Sequence, residues 1–598
     1  MAIAGVYYEV PALIAARSSS SASALSSLNY PGEYGSSKNW AWSANRGIPA
    51  ANASILALQG YQSYPMQTTP FLAGGASHQV ALGGISYFAS AGNYELYAMN
   101  VETQTEIYDA VLPNAPFTAD NVAPFFHIAT TQFGGLPRVW VSTPWSGIYG
   151  FESVSGKVDF AFNATVPAKG QSGNVGTYSG AAPNFVVDEQ RQMVVTGPSV
   201  NITGIPGRGF VEGWKLTAQK TTLHYSGTTL TVDTASPSWT TFLSPPQDGS
   251  NPQWELAQVN SIPHVWEFDG TSAVDLRTLP AATVQSIVSG DWTAQSGSAV
   301  FSAGLEANSS WISEGATDTT YVSTSSPLPV SLSNSFIGPG LFSSSIMALN
   351  TTTGSILWTF QVTPHDVWGW GCKGNIAMLP AAISGAQKQV IAKFCENGYL
   401  YLLDPATGAL LFSGQAPGVA RVAGAQIPSV QSQGQMRATL SSITGTSNSQ
   451  QPALATYGTN VSYDPDNGLL LGAVGIWADH LGGILTSSGA GQFIKGNSTV
   501  FAFDLSRLSF AWQSPVRNQE LSYIGIANGV GYLATYQGEI YVADTKTGSQ
   551  LLDIHAAHSV TSLFVMNGVH GKPGLLVIGN SIQTKQQVQT ELYTPSSR

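Results

Sequence analysis

Charge is what this sequence has least of. Its 598 residues include 23 Lys and Arg and 34 Asp and Glu, 10% of the chain, against about 25% in an ordinary soluble domain. With so few cations, a net charge of −11 and no basic cluster, nothing can neutralise a phosphate backbone, which excludes nucleic acid as a partner. Cysteine is nearly absent as well. The two present, Cys372 and Cys395, form no CxxC, CxxCH or Cys/His cluster, so structural zinc, c-type haem and iron–sulfur sites are excluded. No G-x-S-x-G elbow, H-E-x-x-H helix or phosphate-binding loop occurs, and those enzyme classes drop out. Past the N-terminus, no window resembles a membrane-spanning helix.

What is present is a hydrophobic fraction of 43%, 63 glycines and 10% aromatics, with abundant Ser and Thr. Such a chain builds a large core from β-structure with many turns. The low basic count has a further consequence. In strong acid, carboxylates with ordinary pKa values near about 4 are protonated. The 23 basic residues and nine histidines are then the whole positive charge, so self-repulsion stays small. Few paired carboxylates are lost to protonation. The composition suits work in acid; a glycosylated neutral secreted protein is the alternative.

Seven N-x-[ST] sequons, at Asn52, Asn163, Asn201, Asn308, Asn350, Asn460 and Asn497, favour an exported glycoprotein. Residues 1–27 open with an apolar stretch, Met1 to Ala16, interrupted by Glu9 and followed by Ser and Ala. They read as a signal or anchor remnant, with possible attachment to a membrane or cell surface, or as a disordered N-terminus. Residues 28–598 are expected to form one domain.

A repeat emerges once strands are aligned on their turns. It combines a β-branched or aromatic run, a Gly turn, an alternating strand ending in Asp or Asn, then Thr-Gly and a strand closing on an aromatic. It reads through Tyr87–Tyr108, Val139–Phe162, Ser343–Phe360, Cys395–Phe412, Val500–Trp512 and Gly531–Leu551. Period-2 alternation argues strands, and the Asp-x-x-Thr-Gly step argues a tight turn. The closing Trp or Phe would plug between neighbouring sheets. Four-strand units recurring at this spacing predict an all-β propeller, with no long amphipathic helix. Thr217–Gly249, Gly424–Ala453 and Gly482–Gly496 are expected to be long loop insertions on the propeller faces.

The repeat, together with Thr363–Gly371 (TPHDVWGWG) and Asn397–Gly408 (NGYLYLLDPATG), resembles the quinoprotein dehydrogenases, which hold pyrroloquinoline quinone (PQQ). The resemblance runs from about residue 80 to about 580 and implies an eight-bladed β-propeller of the quinoprotein dehydrogenase type. It also implies where the cofactor residues would stand, and there the sequence departs. Ser326 aligns with a metal-ligating Asn and Pro339 with the catalytic Asp. No carboxylate stands near Asn201 or Ile202 where a metal-ligating Glu is expected, and Glu396 replaces the base that contacts the quinone. A quinone–calcium pair needs acidic oxygen ligands and a cation. Only the floor residue, Trp311, and the His-Asp-x-Trp element are kept. This pattern of scaffold without cofactor site is similar to the tetrathionate hydrolases of acidophilic sulfur oxidisers. That resemblance implies an extracellular, archaeal, cofactor-free and metal-free enzyme whose partner is a small inorganic anion, cleaved with water to thiosulfate, sulfate and sulfur.

Tetrathionate stays a dianion where carboxylates are neutral, so its site needs fixed cations, hydrogen-bond donors and a proton for the leaving sulfur. Asp366, flanked by His365, Trp368 and Trp370, suits the proton donor, because burial among aromatics raises a carboxyl pKa; the alternative is a buried structural Asp. His365 and Lys373 would clamp sulfonates, although His365 equally suits a core hydrogen bond. Arg208 brings a cation to the expected metal neighbourhood, or is a solvated turn residue. Trp311 is a floor under the sulfur chain, or core. Asp291, Glu306, Glu314 and Asp318 are reserve acids. Cys372 adjoins the site, but in strong acid a thiol with pKa near about 8.5 gives almost no thiolate. Cys372 and Cys395 begin and end a strand pair, and a disulfide is the better reading. The long Gly/Ser excursions predict a homo-oligomer. The rival functions are a non-catalytic surface propeller for binding or assembly, and a PQQ-dependent dehydrogenase with an atypical site.

Overall fold

The structure is a computed structural model. It describes the chain between residues 56 and 595 apart from 66–79, 114–126, 165–183, 201–208, 245–256, 290–304, 326–339, 364–371, 418–460, 477–496 and shorter breaks, Lys373 and Glu396 among them. The described residues are almost all β-strand, in antiparallel units of four that follow chain order. Separate four-stranded sheets span Val80–Val111, Ala377–Gln415, Ser462–Val516 and Leu521–His555. Two further units, over His127–Asn163 and Phe185–Phe242, are joined edge to edge by a parallel contact between Asp233 and Phe160. The unit Ile312–Gln361 is widened by a hairpin of His264–Glu267 and Ala273–Asp275.

The final sheet unites the two ends of the chain. Leu56–Pro65 pairs antiparallel with Gln587–Pro595, outside Lys572–Ser581 and His558–Val569. This last sheet packs on the first through Leu576 and Leu592 against Ala81, Met99 and Val101. Pairing the chain's first described strand with its last covers the edge of Gln587–Pro595 and ties the two ends of the chain into one sheet.

Consecutive sheets hold together face to face by apolar side chains at alternate positions. Between Ile312–Gln361 and Ala377–Gln415, for example, Tyr321, Ile346, Trp358 and Phe360 meet Ile376, Met378, Ile391 and Tyr401. The expected aromatic plug is an indole latch. Trp358 packs on the turn Asp404–Gly408 of the following sheet, where Asp404 Oδ1 accepts from the backbone of Ala406 and Thr407 at 2.9 and 3.0 Å. Gly408 has φ +70°, and a Cβ there would lie 2.5 Å from the Trp358 ring. That turn therefore needs glycine for conformation and for space. Trp512 and Trp239 make the same contact, donating to Thr545 O at 2.7 Å and Thr351 O at 2.9 Å.

Two parts of the fold differ from the expectation. Thr217–Gly249 is not a loop through most of its length: Phe210–Tyr225 and Thr228–Phe242 form a long hairpin. Its Thr, Leu and Val residues favour extended chain, but register shifts at Gly213/Trp214 and Thr217/Lys220 break the alternation that would have signalled strands. Leu223 and Val232 of this hairpin pack in one cluster with Tyr87 and Phe151 of the two preceding sheets. A nine-residue helix, Ala281–Ser289, also stands outside the strand pattern. The expected insertions Gly424–Ala453 and Gly482–Gly496 lie outside the described residues.

Candidate functional site

Trp311 sits where three sheet units meet through their loops. It immediately precedes the strand Ile312–Glu314 and is 4% exposed. The backbone before it is laced on both sides. Leu305–Glu306 pairs parallel with Ser199–Val200, and Ser309–Ser310 pairs parallel with Gly374–Asn375. Connecting segments from consecutive units thus pair with the backbone that leads into Trp311.

Gly374 and Asn375 are held from other directions too. Lys393 donates from Nζ to Gly374 O at 2.8 Å, and this lysine is fully buried. The Asn375 amide closes a two-way bridge with Val461, donating to its carbonyl at 2.9 Å and accepting from its N–H at 2.7 Å. Two residues earlier, Cys372 is joined to Cys395 by a disulfide, and both residues are buried. The pair brackets the hairpin Ala377–Ile383 and Ala386–Phe394, and neither sulfur is a free thiol.

In the same sheet unit, the segments flanking 326–339 form a lattice of hydroxyls and carbonyls. Thr324 Oγ1 donates to Phe342 O at 2.6 Å and accepts from Ser345 N at 2.9 Å. Gln361 Nε2 reaches Gly340 O and Ser343 O at 3.2 and 3.1 Å. Ser325 and Gly340 are the last described residues before Ser326 and after Pro339.

The carboxyl of Glu212 stands on the strand Phe210–Tyr225, opposite Thr196 and Thr240 of the neighbouring strands. It is 1% exposed, and its Oε1 has no hydrogen-bond partner among the described residues. Burial pushes its pKa up to about 8, with the Trp214 side chain opposing the rise. A carboxyl so placed is neutral at neutral pH.

Of the residues expected at the site, Trp311, Cys372 and Cys395 are described, and lacing of the chain brings them into one neighbourhood. Arg208, His365, Asp366, Trp368, Trp370 and Lys373 lie outside the described residues. Among the reserve acids, Asp318 is engaged in a latch between sheets, pairing with Arg191 and accepting from Asn350 Nδ2 at 3.0 Å and Thr352 Oγ1 at 3.0 Å. Sequence reasoning missed Lys393, Asn375 and Glu212. A lone lysine inside the otherwise apolar Val390–Phe394 was a readable signal for the first; nothing local marked the other two.

A family model described as "PQQ: Glucose/ethanol/alcohol dehydrogenase, beta-propeller domain" matches residues 265–442. The quinohemoprotein alcohol dehydrogenase ADH-IIG of Pseudomonas putida is 38% identical over 74 residues, 12% of this chain and 10% of that protein. The dehydrogenase subunit of the quinone alcohol dehydrogenase of Acetobacter aceti is 40% identical over 75 residues, again 12% and 10%. The matched segment thus spans a small part of these relatives. Solved structures match far more of the chain. The quinohemoprotein alcohol dehydrogenase of Comamonas testosteroni superposes with a TM-score of 0.64 at 16% identity, covering 97% of this chain and 84% of that one. A europium-containing methanol dehydrogenase gives 0.58 at 14% identity, covering 95% and 98%.

The fold is that of the PQQ-dependent dehydrogenase-like β-propellers. In this propeller, Trp311 is the described residue that the resemblance assigns to the cofactor floor. The described polar groups on the segments that pair with its flanking backbone are the Gly374 carbonyl, the Asn375 amide and, bonded to that carbonyl, the Lys393 ammonium. No set of three His, Cys, Asp or Glu able to hold a metal occurs among the described residues. The positions where the resemblance places the residues of a calcium–quinone pair, near 201–208, 326–339 and at Glu396, lie outside the described residues. No step below is routed through such a pair.

Proposed function

We propose that this chain is an exported tetrathionate hydrolase working in acid, on a single propeller domain of eight blades. The observation that carries this reading is the exchange of residues at the cofactor positions, Ser326, Pro339 and Glu396, on a retained scaffold that keeps Trp311. A chain with so few ionisable groups supports the acidic setting, and the seven sequons support export.

In the proposed reaction one tetrathionate dianion and one water give thiosulfate, sulfate, one sulfur atom and two protons, so atoms and charge balance. Water supplies the oxygen that makes sulfate as an S–S bond breaks. Asp366, protonated, gives its proton to the departing sulfur. His365, Lys373 and Arg208 hold the sulfonate groups, and Trp311, Trp368 and Trp370 line the sulfur chain. No external cofactor takes part. The test is incubation of pure protein with tetrathionate at pH about 2, where ordinary carboxyls are neutral, following thiosulfate release. No release above a heat-inactivated control would reject the hydrolase.

A second reading is supported by the family model over 265–442 and the identity to quinone alcohol dehydrogenases. In it the chain is a PQQ-dependent alcohol dehydrogenase drawing its ligands from residues outside those described. Dye reduction with an alcohol after addition of PQQ and calcium, together with silence towards tetrathionate, would select it.

A further inference from the structure

A lysine lies sealed in the interior beside the Trp311 loop with no part in the proposed reaction. Lys393 faces Tyr401 across the strand pair, and the matching positions of other sheets are Val141 facing Tyr149, Val322 facing Met347 and Leu533 facing Tyr541, all apolar. The repeat itself therefore has no need of a charge at this level. Burying an ammonium is costly unless hydrogen bonds and nearby charge compensate it. The bond that Lys393 makes to Gly374 O holds the stretch 372–375, which is also tied by the disulfide at Cys372, by the Asn375 bridge to Val461, and by the parallel pairs Ser309 with Gly374 and Ser310 with Asn375. Trp311 is the next residue on the partner strand.

We infer that Lys393 is a positioning residue of the candidate site: acting through the Gly374 carbonyl, it fixes the Ser309–Trp311 step and so sets the indole against the sulfur chain of an anionic polythionate. The inference rests on the reading of Trp311 as the floor of the substrate site. Without the ammonium, the Gly374 carbonyl is left buried and under-satisfied, and a parallel pair of two residues is too short to keep its register alone.

Lys393→Met keeps side-chain length and removes the donor; Lys393→Arg keeps a charged donor. Two readouts are taken on the full chain. The first is amide hydrogen exchange over 305–311 and 372–376, which requires no substrate. The second is KM and kcat for tetrathionate in acid. Lys393→Met is expected to raise exchange in both segments about tenfold or more, with the strand Leu521–Ala527 unchanged, reflecting local loosening. KM is expected to rise by a similar factor and kcat to change by less than about threefold, a loss of binding shared by ground and transition states. Lys393→Arg should return both measures most of the way. Unchanged exchange in Lys393→Met overturns the inference, as does failure of both variants to fold, which would make the lysine structural only. If exchange rises as expected but the wild-type protein leaves tetrathionate intact, the positioning role stands and the hydrolase reading falls. If the wild type turns over tetrathionate and Lys393→Met matches it in KM and exchange, the hydrolase stands and the positioning role falls.

Discussion

The indole nitrogen of Trp358 donates to the carbonyl of Pro405, 2.8 Å away, across the largely apolar gap between two sheets, where the Tyr321 hydroxyl reaches the same carbonyl at 3.2 Å. The bond uses the one polar atom of a fully buried ring to fix the rotation of one sheet against the next. Trp358→Phe keeps most of the packing and leaves the Pro405 carbonyl only the 3.2 Å bond from the Tyr321 hydroxyl, and should cost about 1 kcal/mol. Trp358→Ala adds a cavity and should cost about 3–5 kcal/mol. Denaturant midpoints would show the order wild type, Phe, Ala. Equal midpoints for all three would mean that the latch adds no stability.

Glu212 gives the fold a preference for acid. Its pKa is raised by burial from 4.5 to about 8, so the folded state binds a proton more tightly than the unfolded chain. Its contribution to stability is fully present below about pH 4.5 and is lost as pH rises to about 8, where the carboxyl must ionise in the interior. The full swing is on the order of a few kcal/mol. Thermal melts between pH 4 and 9 should show this decline in the wild type and a flatter profile in Glu212→Gln. Parallel profiles would show that the carboxyl is solvated.

The disulfide closes a loop with a sequence separation of 23 residues. Replacing both cysteines by Ser should destabilise the protein by about 3 kcal/mol through the freed unfolded chain. The thiols have no role in the proposed chemistry, so initial rates in acid at low temperature should stay within about threefold of wild type. A far greater fall in rate, with the fold intact by circular dichroism, would return cysteine chemistry to consideration.

Asp366→Asn removes the proposed proton donor while keeping side-chain size. Thiosulfate release from tetrathionate should fall by about 100-fold or more, with an unchanged melting curve. Activity within a few-fold of wild type would assign the proton to another group and leave the reaction class standing.

Much of the fold was legible because its turns are chemical. Asp404, Asn350 and Asp544 each cap backbone N–H groups at a fixed distance before a glycine, and that spacing marks the strand pairs on either side. The unit Phe185–Phe242 was not legible, since its two register shifts scramble a period that sequence reading depends on. The last sheet was also hidden. Leu56–Pro65 finds its partner at Gln587–Pro595, more than five hundred residues along the chain, and no local pattern encodes a pairing of that range. At the site, Trp311 and the cysteines were named by motif and position, whereas Lys393, Asn375 and Glu212 gain their meaning from what lies opposite them.

By itself the sequence determined the class of structure and its electrostatic setting. Alternation writes strands, Asp-x-x-Thr-Gly writes turns, and a charge content of 10% limits how acid can disturb the chain. Tertiary structure alone decided which ends meet, which strand pairs brace Trp311, and which carboxyl is forced to keep its proton. Those outcomes depend on burial and on contacts between residues far apart in the chain, and neither quantity is a property of any short stretch of sequence.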